Sequence, residues 1–164
     1  LKNIKHFAAG SQETHCYTAT IYVDGERFAT VENNGHGGCD NVHPITGGYE
    51  SVSELETRIK ATYPRIESEF FPGGLEPDLE IICGDLVNDH LFRKDFKNAM
   101  RKVSFTIPGK TGIYQLPAKI KPTAQQLASI KEAAKHPRSK WKDHVILNSL
   151  PEEQALALYK KHSV

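Results

Sequence analysis

One stretch constrains the fold of this chain more than any other. Tyr17-Thr18-Ala19-Thr20-Ile21-Tyr22-Val23 is rich in β-branched and aromatic residues, and Glu26-Arg27-Phe28-Ala29-Thr30-Val31 repeats the pattern after Asp24-Gly25. Asp-Gly between two such runs suits a two-residue type I′ turn, whose twist matches that of paired strands. The chain therefore contains an antiparallel hairpin at residues 17–31. With Asp24 and Gly25 as the loop, Ile21 faces Phe28, Thr18 faces Val31, Cys16 faces Asn33 and His15 faces Asn34. Asn3 to Ala8 is expected to add a third strand beside it.

Helical spacing follows. Ser51 and Glu54 form a capping box ahead of the apolar positions Val52, Leu55, Ile59 and Tyr63, and Pro64 ends that helix. The apolar run Phe70-Phe71-Pro72-Gly73-Gly74 is expected to pack down. A second helix spans Asp78 to about Lys102, burying Ile82, Leu86, Phe96, Ala99 and Met100, with a bend or split at Gly84 or Asn88-Asp89-His90. Val103–Ile107 and Ile113–Leu116 read as a second hairpin about Pro108-Gly109-Lys110-Thr111-Gly112. Thr123 with Gln126 caps a third helix that runs to about Lys135 and breaks at His136-Pro137-Arg138. His144–Leu147 reads as a buried strand, and a last helix follows Ser149 with Pro151 in its first turn and Leu156 and Tyr159 inward. The order βββ-α-α-ββ-α-β-α lacks regular βαβ alternation. It predicts a single α+β domain over residues 1–164 built on largely antiparallel sheet, with about four helices.

A length of 164 residues is enough for a core without staples, and 25% charged with 38% hydrophobic residues is globular composition. No apolar run reaches the roughly 18 residues of a membrane span, and no charged-then-apolar signal opens the chain. Together these lead to the expectation of a cytoplasmic protein. The three cysteines, Cys16, Cys39 and Cys83, form neither a disulfide framework nor a C-x-x-C pair. The net charge of +1 conceals a division. Residues 1–90 carry 6 Lys and Arg against 15 Asp and Glu, a balance of −9, whereas residues 91–164 carry 15 against 5, a balance of +10. Such asymmetry has two readings: the halves neutralise each other, or one of them meets a charged partner. Candidates for contact with an acidic partner are Arg93, Lys94, Lys97, Arg101, Arg138, Lys140 and Lys142, with Trp141 placed either to stack on a base or to cover the core.

The densest chemistry lies in Asn33-Asn34-Gly35-His36-Gly37-Gly38-Cys39-Asp40-Asn41-Val42-His43-Pro44. Three roles fit its residue types. Zinc favours thiolate and imidazole, and the hairpin brings His15 and Cys16 near His36, Cys39 and His43, although His15 and Cys16 point to opposite faces of a strand. Alternatively, Cys39 is a nucleophile following Gly37-Gly38 amides, with His36 or His43 as base and Asp40 as orienter, the makings of a small Cys/His or zinc-dependent hydrolase. Otherwise the glycines make turns, while Asp40 and Asn41 bond backbone. No spacing matches a standard metal knuckle or cysteine-enzyme signature, so neither a metal nor a catalytic set is assigned, and no cofactor signature is present. Gly109-Lys110-Thr111 imitates a phosphate loop but lacks its first glycine and precedes a strand, so it reads as a turn. Cys83 lies on the apolar side of a helix, as core.

The strings Glu13-Thr14-His15-Cys16-Tyr17-Thr18-Ala19-Thr20-Ile21-Tyr22-Val23-Asp24-Gly25, Val31 to Pro44 and His144 to Lys160 resemble a group of uncharacterised small proteins of phages and bacterial mobile elements. The resemblance covers most of the chain and brings no activity residue by residue. It implies an accessory protein acting in a bacterial cytoplasm, one that binds and inhibits a host protein or other macromolecule rather than catalysing. Nucleic acid binding through the basic half is a further reading, expected to be weak.

Overall fold

The computed structural model describes residues 1–67 and 71–163. These described residues form an α+β fold with antiparallel sheets and four α-helices. The chain forms two compact units, Leu1–His90 and Leu91–Val164. That division coincides with the change in charge from −9 to +10.

In the first unit, β1 (Lys2–His6), β2 (Cys16–Val23), β3 (Glu26–Asn34) and β4 (Asn41–Pro44) form one sheet in that order. Asp24 and Gly25 both take positive φ, 52° and 90°, as a type I′ turn requires. The expected register holds only next to the turn, where Val23 pairs Glu26 and Tyr22 pairs Arg27. Ile21 then pairs Ala29, Tyr17 pairs Asn33 and Cys16 pairs Asn34. Phe28 is the extra residue of a β-bulge. The cause is parity. Tyr17, Ala19 and Ile21 are buried, as are Ala29, Val31 and Asn33 on the return arm. A two-residue turn without a bulge opposes odd positions to even ones and would send Ala29 and Val31 to the solvent face. One inserted residue restores all six to the same face. The strand β4 was not foreseen: the second half of the glycine-rich segment pairs β3, with Val31 opposite Val42 and Thr30 opposite His43.

Helix α1 spans Gly48–Thr62, three residues ahead of the expected start. Ser51 is not its cap. Its hydroxyl lies within the first turn and is 2.7 Å from the Gly48 carbonyl and 3.1 Å from that of Thr46. Tyr63 leaves the helix in extended backbone, the conformation favoured before Pro64. Helix α2 runs from Leu79 to Ala99 without a break at Gly84 or Asn88–His90. The Asp78 carboxylate accepts from the Ile81 amide at 2.8 Å and caps it. Leu79, Cys83 and Val87, one helical turn apart, are buried, whereas Leu86, expected inside, is 42% exposed. In the loop between these helices Phe71 is 55% exposed rather than packed down, and residue 70 lies outside the described residues.

In the second unit, β5 (Ser104–Thr106) is flanked by β6 (Tyr114–Gln115) and β7 (Val145–Ile146), both antiparallel to it. Val103, Phe105, Ile130 and Ile146 form one core cluster, to which α3 (Ala124–Ala134) contributes Ile130. Thr123 caps α3 by accepting from the Gln126 amide at 3.2 Å. A second cluster joins Phe96, Leu147 and Ala155 of α4 (Glu152–His162), with Leu156 and Tyr159 packed against it. Asn148 ties the two clusters. It accepts from the Ser104 amide at 2.7 Å and donates to the Met100 and Lys102 carbonyls, each at 3.0 Å. Among the described residues no helix is long and apolar enough to cross a membrane.

Candidate functional site

The glycine-rich segment is organised by Asn33, which the bulge turns inward beside Tyr17. All four hydrogen-bonding positions of its amide are used. The amide nitrogen donates to the Gly38 carbonyl at 2.9 Å and to Asp40 Oδ1 at 3.0 Å. The amide oxygen accepts from Thr14 Oγ1 and from the Gly35 amide, both at 2.8 Å. An Asn side chain offers two donors and two sites on its oxygen, so this one is saturated. Asp40 is likewise occupied, with Oδ1 taken by Asn33 and Oδ2 accepting a short hydrogen bond from the Tyr17 hydroxyl. Burial and the neighbouring Asp40 carboxylate push the Tyr17 phenol far above its ordinary range, so the hydroxyl stays a donor.

Gly35 holds the other side. Its carbonyl accepts from the amides of Gln12, Glu13 and Thr14 at 2.9, 3.0 and 3.3 Å, pinning the β1–β2 loop to the end of β3. Its φ is +86°, and a Cβ there would lie 2.1 Å from the Gly10 carbonyl oxygen. Only glycine satisfies both conditions. Gly37 also takes positive φ, but a Cβ would meet the movable end of Glu13, and Gly38 has nothing within 4 Å.

The proposed zinc ligands do not converge. His15 Nε2 lies 2.7 Å from Asn88 Oδ1, with its ring edge-on to His6 at 5.2 Å. Cys16 pairs Asn34 on the opposite sheet face from Tyr17 and Asn33. His36 is exposed on the turn, and its amide donates to Asn34 Oδ1 at 3.1 Å. His43 sits in β4 opposite Thr30, with Nε2 3.8 Å from Glu32 Oε1, both side chains more than half exposed. Cys39 is exposed and turned toward Glu80. The bulge and the alternation of strand faces separate positions that are close in sequence. Among the described residues, no group of three or more His, Cys, Asp or Glu side chains could hold a metal ion.

The electrostatics at Cys39 run against nucleophilic use. The Glu80 carboxylate, by charge and by hydrogen bond, raises the thiol above its ordinary value, and Asp40 and Asp78 add to the effect. Reactive thiols sit among cations or at a helix N-terminus, where the thiolate is favoured. Asp40, cast as the orienter of a histidine, instead holds Tyr17 and Asn33. Cys83 is buried, its thiol pushed up to about 12 chiefly by that burial, as a core residue.

The basic candidates fall in two stretches of the second unit. Arg93, Lys94 and Lys97 project from α2 within one arc of about 100°, and Arg101 follows just beyond the helix; all four are exposed. Arg138, Lys140 and Lys142 are exposed on the segment between α3 and β7. Trp141, between the latter two, is half-buried and edge-on to Phe105 at 5.1 Å and His144 at 5.8 Å, with Lys140 Nζ 5.6 Å from its ring centre. It covers the core, against which Tyr114 also packs, stacked on Phe105 at 6.0 Å. Gly109-Lys110-Thr111 is a turn, with the Lys110 amide donating to the Ile107 carbonyl at 3.1 Å.

Compared with protein-family models, curated proteins and solved structures, the chain matches none. Two central residues, Asn33 and Tyr17, carry no metal-ligand or nucleophile signature in the sequence. Their signal is parity: both are odd-numbered, like the buried apolar residues Ala19, Ile21, Ala29 and Val31.

Proposed function

We propose that this is a non-catalytic binding protein, an accessory factor of a phage or mobile element that engages an acidic macromolecule of its bacterial host through residues 91–164. The observation that carries this reading is the coincidence of charge with structural unit. The balance of +10 belongs to one compact unit and that of −9 to the other, rather than being interleaved within each. A basic surface of this kind steers an acidic partner into contact and fixes its orientation. The spent side chains of the glycine-rich segment support the same reading from the other direction, since Asn33 and Asp40 serve the fold and Glu80 raises the Cys39 thiol above its ordinary value.

An acidic protein surface fits better than nucleic acid. Residues 91–164 hold twelve lysines and three arginines, and lysine is a point charge without the fork that reads base edges. Trp141 is committed to Phe105 and not presented as a stacking platform.

The test is a salt titration of binding to polyglutamate and to duplex DNA, for the native chain and for a variant with Lys94, Lys97, Lys140 and Lys142 all changed to Glu. Polyglutamate binding at low salt, abolished in a variant that keeps its thermal melt, is expected. DNA binding should be weak and lost at physiological ionic strength. If both chains bind polyglutamate alike, the basic surface is not the binding surface. DNA binding that survives physiological salt would move nucleic acid to first place.

A further inference from the structure

The first unit holds an apolar groove that the basic surface does not explain. We infer that this groove takes a large apolar side chain from a basic, amphipathic peptide segment of a partner protein. It lies between the hairpin end of the sheet and the helices α1 and α2. Ile21, Ile59 and Cys83 form buried parts of its lining, and Ile82 and Leu55 are half-buried. Tyr63 and Leu86 line it while 53% and 42% exposed. Exposed large apolar residues grouped at a concavity mark an interaction site, unlike scattered ones. The volume is about 290 Å³. That falls at the bottom of the roughly 300–1,000 Å³ range of small-molecule sites. It suits one or two anchoring side chains better than a cofactor.

Charge selects the partner. Between Leu79 and His90, α2 carries no lysine or arginine; Glu80 is engaged with Cys39, and Asp85 and Asp89 remain, Asp89 with an interaction of its own. Helical geometry places Asp85 and Asp89 beside Ile82 and Leu86, on the side away from the buried Leu79, Cys83 and Val87. On α1, Glu54 and Glu56 flank Leu55. Arg58, the cationic side chain among the described lining residues, is paired with Asp24 at 3.1 Å, and Leu1 also borders the groove. An apolar slot with carboxylates along its helices matches a helix bearing leucine or an aromatic residue on one face and lysine or arginine on its flanks.

The probe is a fluorescent helical peptide with a leucine face and a lysine face, followed by anisotropy. Micromolar binding by the native chain is expected. Leu86→Asp and Tyr63→Asp change exposed residues, so each should keep its melt while weakening binding at least about tenfold, as loss of a central anchor does. A lysine-serine peptide of equal charge should bind at least about tenfold more weakly too. Glutamate substitutions at Lys94, Lys97, Lys140 and Lys142 should leave peptide binding intact, which keeps this site distinguishable from the basic surface. Unchanged affinity in a folded Leu86→Asp variant would overturn the inference, as would equal binding of the lysine-serine peptide. So would a concentration-dependent dimer lost on Leu86→Asp, which would make a second copy the occupant.

Discussion

Replacing Asn33 with alanine removes more from this protein than any change at the histidines or cysteines beside it. Four hydrogen bonds are lost at once, to Thr14, Gly35, Gly38 and Asp40. Each contributes a net of about 0.5–1.5 kcal/mol, and a buried group left without a partner costs about 1–3 kcal/mol. Some of these groups reach water at the turn, so the sum is discounted to about 3 kcal/mol. For a cooperative unit of roughly 60–100 residues, 1 kcal/mol shifts the midpoint by roughly 4–8 °C, so the melt should fall by roughly 12–24 °C. Thermal and urea unfolding followed by circular dichroism measure it, with Cys39→Ala in parallel. Cys39 is exposed and carries none of the network, so its alanine variant should stay within about 0.5 kcal/mol of the native chain. If Asn33→Ala costs under about 1 kcal/mol, no more than an ordinary surface bond, then the saturated amide does not organise this segment.

Three further measurements test the same geometry. Gly35→Ala should destabilise by at least about 2 kcal/mol through left-handed backbone and collision with the Gly10 carbonyl, whereas Gly38→Ala should be nearly neutral, both read by urea titration. Cys39 should alkylate more slowly at neutral pH than a free cysteine, because a raised thiol holds less thiolate, and Glu80→Gln should speed it; iodoacetamide rates followed by mass spectrometry check both. Tyr17 has its folded value raised above the unfolded one, so the stability it contributes is complete below about pH 10 and declines as pH rises past that point. Tyr17→Phe should therefore flatten the alkaline limb of a stability-versus-pH curve, and a limb equally steep in both chains would contradict this.

Much of the fold was legible because its signals are local. Asp24-Gly25 between β-branched runs, Thr123 three residues before Gln126, and Pro64 after an apolar stripe each act within a few residues. The bulge at Phe28 follows from parity, since the buried apolar positions of both arms are odd while a two-residue turn pairs odd with even. The extent of β4 was not, because Asn41-Val42-His43-Pro44 owes its strand to pairing with β3 rather than to its own pattern. The glycine-rich segment is legible as a dense run of polar residues, yet its place in the fold turns on long-range contacts. Thr14 and Tyr17 reach it across 19 and 23 residues of sequence. Spacing cannot report that Asp40 is already occupied, or that Glu80 lies beside Cys39.

The most direct measurement is amide chemical-shift mapping of the native chain during titration with polyglutamate at low salt. A non-catalytic binder using its basic unit should show perturbed amides at residues 93–101 and 138–142, with residues 33–43 silent throughout. Perturbation centred on residues 35–40, with the two basic stretches unmoved, would contradict the account and return the glycine-rich segment to the role of a working site.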